Sequence, residues 1–400
     1  MSTTDYAVIQ GYRPVADGPA WLRARRKEAA DRLATDGLPA QGDEAWKYTS
    51  PRALFSTAWS DAAPGDVDLT GRWYVADDVD RLVFVDGRLD PRWSRLPVGA
   101  AALATSDAVD LADIGGIGAF NLATATDGAV LRLAAGTVVV AHVRTAGASL
   151  VSLRHRIEVE RHGSATVLAV FEGTSSGLGI TVTEISVGDG ARLVYAEAQE
   201  SAAECRHLHR IVARVGRDAT FEATLVAMGG AVARTEIETD LAQGSTADLA
   251  GLTLGRGTQI LDFHTTTSHR EPHATSRQLF KAILDDRSRG VYTGRVIVPV
   301  AAVKSDVQQS NPTLLLSDAA TANTRPQLEI RCDDVKASHG AAIGRMDPEA
   351  QFYLQARGIG ARAARALLTQ AFASEIVARI PHPVLREQTD ARVHRWLEGV

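Results

Sequence analysis

The chain divides into three stretches by the spacing of its hydrophobic positions. Up to residue 80 and from residue 345 onwards, apolar residues recur at helical intervals, whereas between these regions they alternate with polar residues. The middle stretch is rich in valine and threonine with glycine between the runs, as in "LVFVDGRL" and "HRIEVERHGSATVLAVF". Such runs predict short β-strands joined by turns. We therefore expect an N-terminal helical region (1–80), a β core (81–344) and a C-terminal helical domain (345–400).

A repeated motif runs through the β core. A turn of small residues, then alanine and a strand, recurs in "HGSATVLAV", "GDGARLVYA", "GRDATFEAT" and "QGSTADLAG". The alanines are separated by 26, 28 and 28 residues, and they are Ala165, Ala191, Ala219 and Ala247. A strand-rich repeat of this length predicts the coil of a β-helix, which buries its inward face only when coils stack. A large β-sandwich remains the alternative.

The two helical regions carry start and stop signals. "DGP" at residues 17–19 begins a helix that "GLP" at 37–39 ends, and the following Trp46 is expected to anchor this arm onto a neighbour. Near the C-terminus, "MDPE" provides an N-cap and a proline at the first helical position. The next helix is predicted to have an apolar face made of Ala364, Leu367, Leu368, Ala371, Phe372 and Ile376.

Composition narrows the function. The net charge of −5 over 400 residues provides no basic field for nucleic acid. No apolar run approaches the roughly 20 residues that span a bilayer, and the first residues lack the order of a signal peptide. We therefore expect a cytoplasmic protein that binds neither nucleic acid nor membrane. Because cysteine occurs only at Cys205 and Cys332, a disulfide framework and any four-cysteine metal site within one chain are excluded.

The segment "CRHLHR" is a candidate metal site. Residues two apart on a strand share a face, so Cys205, His207 and His209 are expected on the same side. A thiolate and two imidazoles could bind a metal ion. An outward-facing polar strand is the favoured interpretation.

A second histidine-rich segment is "FHTTTSHREPHATS". By the same rule His264 and His269 oppose each other, whereas His269 and His273 share a face if no bulge intervenes. Two imidazoles are compatible with a metal, but a third ligand is not evident. A polar ladder or an interface patch is favoured. The sequence also lacks the Walker A, nucleophile-elbow and H-E-x-x-H motifs. No helix follows the glycine turns "GLGI" at Gly177 and "GDGARL" at Gly188, which argues against a nucleotide site.

The densest group of ligand-type residues lies in "CDDVKASHG". Cys332 and Asp334 share a face if the strand continues, and Asp333 then points the other way. The "SHGAA" that contains His339 predicts a turn in which Gly340 takes a special backbone angle. From these residues alone, a metal site, a catalytic turn and a structural corner all remain open.

Three long motifs closely resemble the C-terminal half of the SufB/SufD family, the scaffold subunits of the SUF iron–sulfur cluster assembly machine. They are "HATSRQLFKAILDDRSRGVYTGRVIV", "QSNPTLLLSDAATANTRPQLEIRCDDVKASHGAAIGRMD" and "FYLQARGI". The dense match covers about residues 263–380, and the N-terminal "DEAWKYT" agrees with it. SufB usually carries an N-terminal cysteine cluster. This chain has no cysteine before Cys205, and in this respect it resembles the SufD branch of the family.

The resemblance implies a mainly β fold, a right-handed parallel β-helix flanked by helical regions, and a non-enzymatic scaffold role. It implies pairing with SufB through the β-helices and docking of SufC, an ABC-type ATPase, on the C-terminal helices. It implies no tightly bound cofactor, and a transient iron or nascent iron–sulfur cluster shared with SufB. The residues expected to dock SufC are Phe352, Tyr353, Arg357, Leu367, Leu368 and Phe372.

The family motif "DDVKCSHG" reads "DDVKASHG" in this chain. His339 matches the family's histidine and is the expected transient iron ligand, whereas Ala337 replaces the family's cysteine and cannot bind a metal. A continuous strand would turn Cys332 to the opposite face from Ala337, so the remaining ligands are expected from SufB. The alternatives are a homodimer that binds SufC without SufB, and a carbohydrate-active β-helix enzyme.

Overall fold

Strands fill the middle of the chain, and most of the helices lie toward its ends. The computed structural model describes residues 6–63, 65–112, 114–145, 147–174 and 176–398. The α-helices are α1 (Ala7–Gly11), α2 (Ala20–Asp36), α3 (Arg52–Phe55), α4 (Ile117–Thr124), α5 (Pro348–Gln355), α6 (Ala361–Val377) and α7 (Pro383–Glu398). Short 3₁₀ helices are at Glu44–Trp46, Trp73–Val75 and Leu103–Thr105. Among the described residues, every helix is too short or too polar to traverse a bilayer.

The strands increase in regularity along the chain. The early ones are β1 (Ser60–Asp61), β2 (Arg81–Val85), β3 (Arg88–Leu89), β4 (Ala100–Ala102), β5 (Ala129–Arg144) and β6 (Ser149–Gly173). The later ones are β7 (Gly177–Val187), β8 (Arg192–Ser201), β9 (Cys205–Val215), β10 (Thr220–Ala227), β11 (Val232–Leu241), β12 (Thr246–Gly255), β13 (Ile260–His269), β14 (Thr275–Leu284), β15 (Arg289–Val298), β16 (Ser305–Leu315), β17 (Thr321–Ile330) and β18 (Val335–Arg345).

From β5 onwards the strands form two parallel ladders. The first ladder contains the first halves of β5 and β6, followed by β7, β9, β11, β13, β15 and β17. The second contains the second halves of β5 and β6, followed by β8, β10, β12, β14, β16 and β18. Each coil therefore contributes one strand to each ladder, and about eight coils stack in the described residues. The prediction of a mainly β, parallel β-helix with helices at both ends is confirmed.

The repeat is present, but its alignment by alanine was wrong at two positions. Ala191 and Ala219 precede β8 and β10, two residues before the positions that stack on Ala165. Turn and strand lengths differ between coils, so a small residue at the turn does not mark the stacked position. The stacked column runs through Ala165, Leu193, Phe221 and Ala247.

Helical segments pack on part of each outer face of the β-helix. The N-terminal segments pack on the first ladder, where Trp46 and Phe120 share a buried cluster with Leu208. The guanidinium of Arg234 also lies 4.0 Å from the ring centroid of Trp46, so Trp46 anchors the arm as expected.

The C-terminal helices pack on the second ladder. Asp347 caps α5 by accepting a hydrogen bond from the backbone N–H of Glu349 at 2.9 Å, as the "MDPE" signal predicts. The predicted apolar face of α6 was partly wrong, because Leu367 and Ala371 are exposed. Helix α6 turns a different stripe toward the strands, and its buried residues are Ala364, Thr369, Ala373, Ile376 and Val377.

Candidate functional site

The last coil leaves one end of the β-helix uncovered. Within the described residues, β17 pairs only with β15 and β18 only with β16, so each has one free edge. Every residue of β18 after Val335 is exposed. Unpaired edges and an unstacked inner face are surfaces to which another chain can add. We call the surface formed by β17 and β18 the open end.

His339 lies on the inner side of the open end. It stacks on Gln309, which stacks on Gln278, which stacks on Leu249, and these three side chains are buried inside the β-helix. Paired residues of parallel strands point to the same side. His339 therefore continues an interior column, and it is exposed because none of the coils that the structure describes covers it.

The layer beneath His339 is polar. Oε1 of Gln278 accepts hydrogen bonds from Thr265 Oγ1 at 2.8 Å, from Tyr292 OH at 3.0 Å and from Gln309 Nε2 at 3.2 Å. Oε1 of Gln309 is buried without a hydrogen-bond partner. The side chain on which His339 stacks thus has a spare acceptor.

The predicted turn at "SHGAA" is wrong. These residues lie within β18, and Gly340 has no positive φ, so the segment is extended. Alternation along β18 then places Ala337 on the same inner side as His339. The position at which the family has a cysteine is therefore next to the histidine on one face, as two-residue spacing requires.

The argument from strand parity does not apply to Cys332. The strand does not continue through it, because β17 ends at Ile330 and β18 begins at Val335. Cys332 is buried in the corner, in an apolar cluster with Val298 and Val307. Asp333 and Asp334, in the same corner, are exposed.

A second set of polar side chains lies inside the β-helix, near its N-terminal end. Four histidines and one glutamate face inward from both ladders, and they are His142, His155, Glu197, His207 and His209. We call them the interior histidine group. The rings of His142 and Phe171 stack with centroids 4.0 Å apart, and Nε2 of His142 lies 2.8 Å from Nε2 of His155.

Three members of this group bring ligand-type atoms together. Glu197, His207 and His209, the interior triad, each offer one such atom, with no two more than 4.8 Å apart. Nδ1 of His209 lies 2.9 Å from Oε2 of Glu197, and Nε2 of His209 lies 2.9 Å from Thr183 Oγ1. The hydroxyl of Tyr195 donates to Oε2 of Glu197 at 3.0 Å.

Burial controls protonation in this group. It lowers the pKa of His142 to about 3 and that of His207 to about 3, and it holds the pKa of His155 well below its usual value. Burial also acts to raise the pKa of Glu197, but neighbouring His209, His207 and Tyr195 outweigh it and lower that pKa. His142, His155 and His207 are therefore neutral imidazoles that lie near a carboxylate.

The favoured interpretation of "CRHLHR" as an outward polar strand is wrong. His207 and His209 do share a face, but that face is the interior of the β-helix. The alternating Leu208 lies on the outer face, under the N-terminal arm. Cys205 is buried nearby, and its Sγ lies 2.8 Å from Nη1 of Arg144, outside the interior triad.

The other histidine segment does not bring its side chains together. Both ring nitrogens of His269 are engaged, with Ser305 Oγ at 3.0 Å and Ser276 Oγ at 2.8 Å. His273 is exposed in the turn after β13, with φ of 64°, so it does not share a strand face with His269. Nδ1 of His264 lies 2.9 Å from Arg234 Nη2. A polar role is thus favoured over a metal site here.

The residues expected to dock the ATPase occupy different environments. Phe352, Tyr353 and Leu367 are 70%, 57% and 51% exposed, unusual values for large apolar side chains. The guanidinium of Arg357 lies over the ring of Tyr353 at 4.5 Å. Leu368 is half-buried.

Phe372 faces the β-helix. The ammonium of Lys281 lies 4.2 Å from its ring centroid and donates to its carbonyl oxygen at 3.1 Å. Phe372 therefore holds α6 against the second ladder.

Comparison with known proteins gives a consistent assignment. Residues 142–372 match a family model described as "SUF system FeS cluster assembly, SufBD core domain". The chain is 31% identical to the iron–sulfur cluster assembly protein SufD of Escherichia coli, over 92% of this chain and 91% of that protein. It is 28% identical to an iron–sulfur cluster assembly SufBD family protein of Synechocystis, over 89% and 87%. It is also 28% identical to SufD of Bacillus subtilis, over 60% and 56%.

Proposed function

Because the chain belongs to the SufBD family of iron–sulfur cluster assembly proteins, we propose that it is a non-enzymatic scaffold subunit. In this role the open end pairs with a SufB-type subunit, and an iron–sulfur cluster forms where the two β-helices meet. The observation that carries the proposal is the uncovered last coil, with free strand edges and His339 on its inner side.

His339 then supplies a nitrogen ligand to iron or to a nascent cluster, which is cargo shared with the partner. Imidazole binds iron, whereas the methyl group of Ala337 cannot. The thiolates that such a cluster needs come from the partner, because Cys332 is buried in its corner.

The exposed part of the C-terminal helices docks a SufC-type ATPase. Phe352, Tyr353 and Leu367 form the apolar part of this surface, and Arg357 adds a charge at its edge. Phe372, half-buried against Lys281, stabilises the helices on the β-helix. Motion of the ATPase on hydrolysis would then reach the second ladder through α6.

Co-expression with SufB and SufC, followed by native mass measurement, tests the proposal. We expect one complex containing all three chains, with Leu367→Asp releasing SufC but not SufB. The matched control is Arg362→Asp, also exposed on α6. If the chain is isolated only as a homodimer bound to SufC, the result favours the alternative in which it acts without SufB. A chain that is purified with neither SufB nor SufC would contradict the scaffold role. Membership of the SufBD family does not favour the alternative of a carbohydrate-active enzyme.

A further inference from the structure

We propose that the interior triad of Glu197, His207 and His209 binds one divalent transition-metal ion of the Fe²⁺ or Zn²⁺ type inside the β-helix. The resemblance to the family implies no resident cofactor, so this site adds to the scaffold role.

The donor set fits such an ion. Two imidazoles and a carboxylate are a common ligand combination for zinc and for non-haem iron. The ligand-type atoms lie within 4.8 Å of one another. Atoms bound at about 2.1 Å from a common ion are about 3.0 to 3.4 Å apart, so the largest separation closes with a shift of roughly an ångström or slightly more.

The hydrogen-bonding deficit of the triad points to a missing ligand. Nε2 of His207 is buried without a partner, which is costly for a polar atom. Nδ1 of His209 lies 2.9 Å from the carboxylate of Glu197 but forms no hydrogen bond of acceptable geometry. A cation shared by Nδ1 and the carboxylate would satisfy both atoms.

The surroundings orient the ligands. Thr183 Oγ1 lies 2.9 Å from Nε2 of His209, so that nitrogen can donate to the hydroxyl and leave Nδ1 free to bind the ion. The hydroxyl of Tyr195 holds the carboxylate of Glu197. Such outer contacts fix the tautomer and orientation of metal ligands.

The site is separate from the open end. Tyr195, beside the triad, is connected to His339 by five coil-to-coil steps along one column. At roughly 4.8 Å a step, the two lie about 24 Å apart. Since the triad is buried, the ion enters during folding, as at structural metal sites.

Metal analysis of the full-length chain without a polyhistidine tag tests the site. The chain is refolded with Fe²⁺ or Zn²⁺ under anaerobic conditions and freed of unbound metal by gel filtration. Inductively coupled plasma mass spectrometry should then find about one ion per chain. His207→Gln and Glu197→Gln should lower the metal content at least tenfold. Two controls should retain it: His269→Gln, at another buried histidine, and His339→Ala, at the open end.

A spectroscopic measurement covers variants that fail to fold. Wild-type chain refolded with Co²⁺ should show the d–d bands of nitrogen and oxygen coordination without a thiolate charge-transfer band. A wild-type content below about a tenth of an ion per chain would overturn the proposal. So would a folded His207→Gln that keeps its ion, a thiolate band, or loss of the ion in His339→Ala. The last result would place the metal at the open end and leave the scaffold proposal intact.

Discussion

Ile343 offers a direct test of the open end as a subunit interface. It lies in β18 and continues the inward column above Thr313 of β16, and it is 48% exposed because no coil in the described part of the chain stacks on it. Burying an isoleucine side chain completely contributes about 1.5–3 kcal/mol, so covering the exposed half contributes about 1 kcal/mol. Ile343→Asp removes this term and places a carboxylate in the contact, where an unpaired charge costs several kcal/mol more.

Together these terms weaken binding of the SufB-type partner by about 3–4 kcal/mol, which is a 100- to 1,000-fold rise in Kd. Isothermal titration or sedimentation of the two purified chains measures the change. Val98→Asp is the matched control, since Val98 is 99% exposed in a loop outside the open end. Both variants should unfold at nearly the wild-type temperature. A Kd for Ile343→Asp that stays within about threefold of the control would refute pairing through this surface.

Three further predictions concern the body of the protein. Arg154→Met should lower the free energy of unfolding by about 3–5 kcal/mol, because Glu184 stays buried without its cation. The double variant Arg154→Met/Glu184→Leu should recover much of this lost stability, and urea denaturation of both variants measures the difference. Burial lowers the pKa of His142 from 6.5 to about 3, so only the unfolded chain binds this proton in that window and stability falls as the pH drops. His142 should account for about 1.6 kcal/mol of the stability lost between pH 6.5 and 5, and His142→Gln should remove that share while His155 and His207 keep theirs. Trp46→Ala should cost about 3–5 kcal/mol and, by releasing Arg234, make the N-terminal arm the first site of proteolysis.

The β-helix was predictable because its signal is local and repeated. Alternating strands and a period near 28 residues specify a coil, and stacking coils is the way such a unit buries its inner face. The helix limits were equally clear where capping chemistry marks them, as at Asp347. The stacking register was not predictable, since coils of unequal length shift Ala191 and Ala219 away from the column.

Two of the three residues of the interior triad could be placed together from the sequence. Strand parity placed His207 and His209 on one face, but parity cannot say which face is inside when helices also cover the outer one. Leu208, the apolar residue between them, marked the face under the N-terminal arm. Nothing in the sequence predicted that Glu197 would join them, because it lies on the opposite ladder and reaches the histidines across the interior of the β-helix.

The motif "DDVKASHG" pointed to the open end, whereas the alternating pattern of the strands did not. β18 alternates like the strands before it, so nothing in its own pattern says that no coil follows. The long match around "DDVKASHG" singled out His339 and Ala337, and the structure then placed both on the inner side of the last coil. A turn predicted from serine, histidine and glycine became a strand because β16 pairs with it along its full length.

Cluster formation at His339 is the most direct test of the scaffold account. The complex with SufB and SufC, prepared with His339→Ala or wild type, is reconstituted anaerobically with iron and sulfide, and the cluster is followed by its visible absorption and acid-labile sulfide. Ser338→Ala, an exposed neighbour on the other face of β18, is the control. We predict that His339→Ala assembles the complex but forms cluster at least tenfold more slowly, while Ser338→Ala matches wild type. Equal rates and yields in all three would contradict a role for His339 at the assembly site.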